Sequence, residues 1–408
     1  MRGDLQAFVE GNRDALVTFL RKLIATPSLS GQEGEVAGVL ATEMQRVGFD
    51  EVFSDSLGNL AGRVGQGRTV VLYDAHMDTV PAGDAAAWGF DPFQGKYENG
   101  IIYGRGASDD KGCLACMVYA GKAIKELNLA GDFTLYVVGV VGEEVGEGNG
   151  IKSFIEETGI KPDYVLIGEA SGLRICRGHR GRALFEVAIP GKSGHASAPE
   201  LADNALYKAA AFIRDVEKMG ATFAEDPFLG KGTIAATKVD CKTPSLNTIP
   251  GECVVYLDRR LTAGEGKEEA LEQVRRVATP YGGRVSIMEY AEPGYKGKII
   301  GGEEFFPAWS LPEEHPLVQA GARAFREALG REPVIGRWGF STDGTYTAGQ
   351  ASIPTIGFGP GDERYPHSEQ DQIAVAEMLE AVAVYALLPG MLARSKQESP
   401  AGLSATPA

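Results

Sequence analysis

Three near-continuous apolar runs, TVVLYDAHMD, FTLYVVGVVGEE and PDYVLIGEA, limit most severely what this chain can fold into. A strand buried on both faces reads as an unbroken Val/Leu/Ile run, as in a parallel sheet covered on both sides. Helical patterns at 32–47, 111–127 and 150–158 lie between and around the runs, the strand–helix alternation of an α/β domain. Each run ends in acidic or histidine residues: Ala75-His76-Met77-Asp78, Gly142-Glu143-Glu144 and Gly168-Glu169. A fourth cluster, Ala107-Ser108-Asp109-Asp110-Lys111-Gly112, stands just before a helix. In open α/β sheets the carboxyl ends of the strands face one crevice, so these residues are expected to converge there.

Near residue 180 the pattern changes. ALFEVAIPG alternates as a half-exposed strand, and LADNALYKAAAFIRDVEKM is an amphipathic helix. Strand patterns follow near 232–240 and 251–259, then the helix GKEEALEQVRRVA and the strand GRVSIMEY. That β-α-β-β-α-β order is ferredoxin-like. A chain of 408 residues suits two domains. The expected layout is a mostly parallel-sheet catalytic domain over 1–180 and 298–393, with an inserted α+β lid or dimerisation domain at 181–297. A helix at 315–328, the run ASIPTIGFG and a helix at 371–387 complete the first domain, and 394–408 is expected to be a disordered polar tail.

The formal charge of −15 argues against a nucleic-acid or anionic-membrane partner. No apolar run approaches the roughly 20 residues of a membrane span. Asp4, Glu10 and Asp14 stand where a signal peptide is uncharged, and Phe8, Leu16, Phe19, Leu20 and Leu23 mark an amphipathic helix instead. Five cysteines, an odd number without framework spacing, point to reduced thiols in the cytoplasm. Cys113 and Cys116 form a C-x-x-C inside a helical pattern and read as core packing.

A single acid at a strand end is ordinarily a cap or a solvated group. Several carboxylates in one buried crevice repel, and desolvation protonates some of them unless a cation neutralises the cluster. Imidazole together with carboxylate favours Zn, Co or Mn over Ca or Mg. His367, in the loop GPGDERYPHSEQD, supplies a further imidazole.

AHMDTVP, YGRGASDDKG, VGEEVGEG, IGEAS and HSEQD, in this order and at these separations, resemble the di-zinc aminoacylase and metallo-exopeptidase family. That family includes acetylornithine deacetylase, succinyl-diaminopimelate desuccinylase, aminoacylase-1 and carboxypeptidase G-type enzymes. The resemblance covers nearly the whole chain and is closest to a subgroup linked by genome context to selenium metabolism. It implies a cytoplasmic enzyme with two Zn²⁺ (Co²⁺ or Mn²⁺ substituting), a small-molecule amide substrate and a homodimer. His76 and Glu169 would bind one zinc, Glu144 and His367 the other, and Asp109 would bridge. Asp78 would hydrogen-bond the second nitrogen of His76. Glu143 would be the general base on the bridging water. Three ligand carboxylates and a hydroxide balance two Zn²⁺, which suits Glu143 as base rather than ligand. Adjacent strand residues face opposite ways, so the strand must end or bend at Gly142. A cis peptide at Asp109–Asp110 is also implied.

In the insert, the resemblance gives His195 of Gly191-Lys192-Ser193-Gly194-His195 an oxyanion role, often in the partner subunit's site. Asn247 and Arg260 resemble a substrate-carboxylate clamp, while Arg259 is expected to face solvent or a structural acid. Asp343 and Gly359 match loops that line the substrate pocket, and His179 and His315 are expected to be structural. The implied reaction is hydrolysis of an N-acyl amino acid or small peptide-like amide. An N-carbamoyl amino acid amidohydrolase is the alternative, ahead of a two-metal phosphoesterase or a catalytically silent scaffold. Where many members have Gly-Glu-Pro, this chain has Gly168-Glu169-Ala170, which leaves the substrate's identity open.

Overall fold

The computed structural model describes residues 2–129 and 131–398. Its main sheet has eight strands, in the order Glu51–Ser54, Leu60–Gly65, Phe133–Val140, Thr69–His76, Tyr164–Ile167, Thr355–Gly357, Ile175–Cys176 and Ile335–Gly336. The central four run parallel, with antiparallel pairings towards the two edges. The three apolar runs supply three of those central strands, and their residues are buried almost without interruption.

Helices cover both faces, as a sheet buried on both sides requires. On one face Lys111–Glu126 packs against the central strands, with Val375–Glu398 and Pro316–Leu329 beside it. On the other, Phe154 of the helix Asn149–Thr158 joins Trp309, Trp338 and Tyr346 over Leu72, Val138 and Val165. The C-terminal helix is longer than the expected 371–387 and takes in the first residues of the expected tail; residues 399–408 lie outside the described residues. Contrary to the sequence expectation, its stretch Val375–Lys396 is long and apolar enough to cross a membrane, but 78% of the apolar window is buried within the protein. It serves here as a core helix.

The insert forms an antiparallel sheet ordered Thr233–Asp240, Glu252–Leu261, Gly181–Pro190, Arg284–Ile287. Gly181–Pro190 and Glu252–Leu261 alternate strictly between buried and half-exposed residues. Their buried members (Phe185, Val187, Val255 and Leu257 among them) meet Phe212, Val216, Leu271 and Val274 from the helices Ala205–Ala221 and Lys267–Ala278, and this core is separate from that of the main sheet. The run GRVSIMEY is broken at Met288. Its second half continues as Glu289–Pro293, which pairs with Ile299–Glu303 in a hairpin whose Tyr290, Tyr295 and Ile300 pack on the main core.

The expectation of five reduced thiols is corrected. Cys241 and Cys253 form a disulfide, while Cys113, Cys116 and Cys176 are free and buried. The pairing follows from strand register: Asp240 lies opposite Val254, so the next residue outward faces Cys253.

Candidate metal centre

His76 is the last residue of its strand. In the parallel neighbour the strand ends at Val140, and Gly142 turns the chain with φ 66° before Glu143 and Glu144. The bend expected at Gly142 is therefore present. A Cβ at Gly142 would lie 2.3 Å from Ile300 Cδ1, so the turn is closed to larger residues by packing as well as by dihedral angle. Glu169 follows the strand Tyr164–Ile167, and Asp109 precedes the helix Lys111–Glu126 through a cis Asp109–Asp110 peptide. His367 comes from its loop with φ 60°.

These groups meet. His76 Nε2 lies 2.8 Å from Asp109 Oδ1 and 3.7 Å from Glu169 Oε1. His367 Nε2 lies 2.9 Å from Glu144 Oε2 and 3.2 Å from Asp109 Oδ2. Asp109 thus stands between the two imidazoles. Potential donor atoms of His76, Asp109 and Glu144 lie within 4.8 Å of one another, as do those of His76, Asp110 and Glu169. Asp110 is a candidate donor that the sequence reading did not include.

The electrostatics are those of crowded acids. Burial pushes the carboxyls of Glu143 and Glu169 well above the usual range, and neighbouring carboxylates add to it. Burial and Asp109 raise Glu144. Burial acts the same way on Asp109, but contacts with His367 and His76 outweigh it and hold Asp109 below the usual range. Contacts with Asp109 and Glu144 push His367 up to about 10. Paired imidazoles and carboxylates with their donor atoms turned on one another fit a divalent transition-metal ion, whose charge would relieve the crowding.

The surrounding shell is built from the same segments. His76 Nδ1 bonds the Asp78 main-chain carbonyl at 2.9 Å, with the Asp78 carboxylate at 3.5 Å, so the expected contact is made chiefly by the backbone. Asp371, buried at the end of HSEQD, accepts from Gly106 N at 2.7 Å, Ser108 N at 2.9 Å and Ser108 Oγ at 2.7 Å, fixing the segment that carries Asp109.

A cavity of about 350 Å³ opens on this cluster, lined by Asp109, Glu143, Glu144, Glu169 and His367. Arg260 lies in its wall, with Glu147, Arg182, Phe340 and Glu363, none of which the sequence reading singled out. Strand alternation explains the arginines. Arg259 turns into the insert's core, paired with Glu265 and stacked on Phe223, and Arg260 turns out.

Other expected residues lie elsewhere. Asp343 is buried behind the wall, accepting the Gly148 N–H and facing Asp74, so it is no lining residue. Gly359 also lies behind the wall, where a Cβ would come 2.3 Å from the Glu169 carbonyl oxygen. His195 and Asn247 are exposed on the insert and adjacent to each other, Asn247 O accepting from Ala196 N at 2.9 Å, but neither lines the cavity. His315 caps the helix Pro316–Leu329, and His179 is buried against Arg180 and Thr342, both as expected of structural histidines.

Comparison with known proteins agrees with this geometry. The chain is 38% identical to the "Uncharacterized protein YgeY" of Escherichia coli (strain K12) over 92% of its own length and 93% of that protein. It is 27% identical to a succinyl-diaminopimelate desuccinylase of Methylorubrum extorquens over 89% and 95%. The fold is similar to that of aminopeptidase PepT from Bacillus cereus, with a TM-score of 0.73, 23% identity and coverage of 94% and 99%. The profile of the peptidase family M20/M25/M40 matches residues 72–389, so the chain belongs to that family and is a metal-dependent hydrolase of amide or peptide bonds.

Proposed function

We propose that this protein hydrolyses the amide bond of an N-acyl amino acid or small peptide-like substrate. The observation that carries the reading is the meeting of His76, Asp109, Glu144, Glu169 and His367 at one cavity that also holds Glu143 and Arg260. His76 and Glu169 would hold one metal ion and Glu144 and His367 the other, with Asp109 shared. Zinc suits this donor set, and such ions polarise a carbonyl and acidify a water.

Glu143 takes the proton of the attacking water and returns it to the leaving amine. Burial raises the affinity of Glu143 for a proton, which suits a group that takes one up and passes it on. Arg260 binds the substrate carboxylate through charge-assisted hydrogen bonds. His195, exposed on the insert and outside the lining of its own cavity, would serve the site of a second copy in a homodimer and donate there to the oxyanion. Movement of the 181–297 unit as a lid excludes water during the reaction.

The test is a metal-reconstituted enzyme assayed on N-acetyl, N-succinyl and N-carbamoyl amino acids and dipeptides, beside its Glu143→Gln variant. The variant is expected to keep its metal by elemental analysis and to lose turnover. Full turnover in Glu143→Gln would overturn the assignment.

A further inference from the structure

We propose that Arg182 shares with Arg260 the seat for the substrate's carboxylate and sets the preference for an anionic over an uncharged substrate. The inference rests on the hydrolase reading above and adds to it a residue on a different strand.

Arg182 and Arg260 are directly opposed across the antiparallel strands Gly181–Pro190 and Glu252–Leu261. Opposed residues project from the same face with their Cβ atoms about 5 Å apart, and like charges in that relation destabilise a sheet. Both side chains line the metal-bearing cavity. Two guanidinium groups held together at the wall of a cavity are what an anion bridging them would relieve.

Their present partners leave room for one. Asp258 occupies one edge of Arg260, at 2.9 Å from Nε and 3.1 Å from Nη2. The ion pairs of Arg182 with Glu147 and Glu304 run from Nη2, each at 3.3 Å. Those separations are long for charge-assisted bonds, which run at about 2.7–2.9 Å. The Arg182 guanidinium also lies over the Phe306 ring, 4.8 Å from its centroid, and its Nε is buried on that side, so an anion would meet the Nη edge that faces the cavity. A guanidinium serving only as a structural tie would be expected to make shorter, two-pronged contacts.

Further arginines stand near the pair, interleaved with Asp258, Glu147 and Glu304. Arg180 is drawn below its ordinary range by burial and then by Arg337 and Arg260. The acidic cluster lies in the same cavity, so a substrate with a carboxylate at one end and an amide at the other is oriented by charge. The carboxylate is repelled by the acids and drawn to the arginines, which leaves the amide beside Glu143.

The experiment is calorimetric binding to the metal-reconstituted Glu143→Gln protein, using a panel of N-acetyl amino acids and the corresponding carboxamides. Wild-type Arg182 is expected to favour the carboxylates. Arg182→Gln should weaken the carboxylates about 10- to 100-fold, the size of a lost charged hydrogen bond, and leave the carboxamides unchanged. Arg182→Lys should recover part of the loss. Glu304→Gln, which removes a structural partner and keeps the guanidinium, should preserve the carboxylate preference. Equal weakening of both ligand series, or none, would overturn the role of Arg182 while leaving the hydrolase reading intact. If no carboxylate binds better than its carboxamide before Arg182 is changed, the seat and the amino-acid substrate fall together, and only amide hydrolysis remains to be judged by turnover.

Discussion

Asp78 Oδ1 accepts the backbone N–H of Glu143 at 3.2 Å, and its Oδ2 accepts that of Glu144 at the same distance. One buried carboxylate therefore holds both residues of the turn after Gly142, and Ser30 Oγ secures Oδ2 at 2.7 Å. Adjacent residues of a regular strand could not both serve the cavity. Asp78→Asn keeps one acceptor and sets an amide N–H against a turn N–H. Turnover is expected to fall about 10- to 100-fold, with metal affinity reduced by a similar factor. Steady-state kinetics and metal titration check this; unchanged values in both would assign the turn's geometry to other contacts.

Gly359 stands directly behind Glu169. In Gly359→Ala the new methyl would lie 2.3 Å from the Glu169 carbonyl oxygen and 2.6 Å from Cys113 Sγ. The obstructing oxygen is backbone and cannot swing aside, so Glu169 has to move. A loss of about 1–3 kcal/mol is expected from overpacking, together with less than full metal occupancy. Urea unfolding and elemental analysis measure the two effects separately.

The Cys241–Cys253 bridge closes the segment that carries Asn247. Denatured without reductant, the protein should expose three reactive thiols, those of Cys113, Cys116 and Cys176, and five after reduction. A loop of this size suggests that reduction costs about 3 kcal/mol of stability. Thiol counting followed by urea unfolding in both redox states tests the pairing and its effect. Five thiols without reductant would restore the expectation drawn from sequence.

Residues that end a buried run, or sit in a motif with fixed neighbours, were legible in the sequence. His76, Glu144 and Glu169 follow apolar strands, and Asp109 and His367 stand in short acidic loops. The insert's element order was also plain from its switch to period-two alternation. Arg182 was not legible because its position depends on how the insert docks on the main sheet, which no local pattern records. Arg182 could have been found by pairing the two strand patterns and asking what lies opposite Arg260. The same exercise would have set Cys241 against Cys253. Asp343 misled because its loop matches a pocket-lining motif, whereas its carboxylate turns to Gly148 and Asp74. The C-terminal helix was underestimated because it carries charged residues along an otherwise apolar length.

His179 gives the fold an acid-sensitive point next to the insert. Its Nδ1 lies 2.9 Å from the Arg180 carbonyl and so carries the hydrogen, while Nε2 accepts the Thr342 N–H at 3.1 Å. Protonating Nε2 would turn it against the Thr342 N–H, leave it only the Thr342 hydroxyl at 3.1 Å, and place a charge in a buried site. Burial accordingly draws its pKa down to about 4, from an ordinary 6.5. The unfolded chain takes up this proton near pH 6.5 and the folded one only near 4, so the unfolded state binds more protons between those values. The stabilisation is complete above about pH 6.5 and is lost as pH falls towards 4, by about 3 kcal/mol from this group. Thr342 adjoins Ser341 in the cavity wall. In His179→Gln the difference in unfolding free energy between pH 7.5 and pH 4.5 should shrink by about 2–3 kcal/mol relative to the parent protein. Urea unfolding of both proteins at both pH values measures it, and equal acid sensitivity would place the effect on another group.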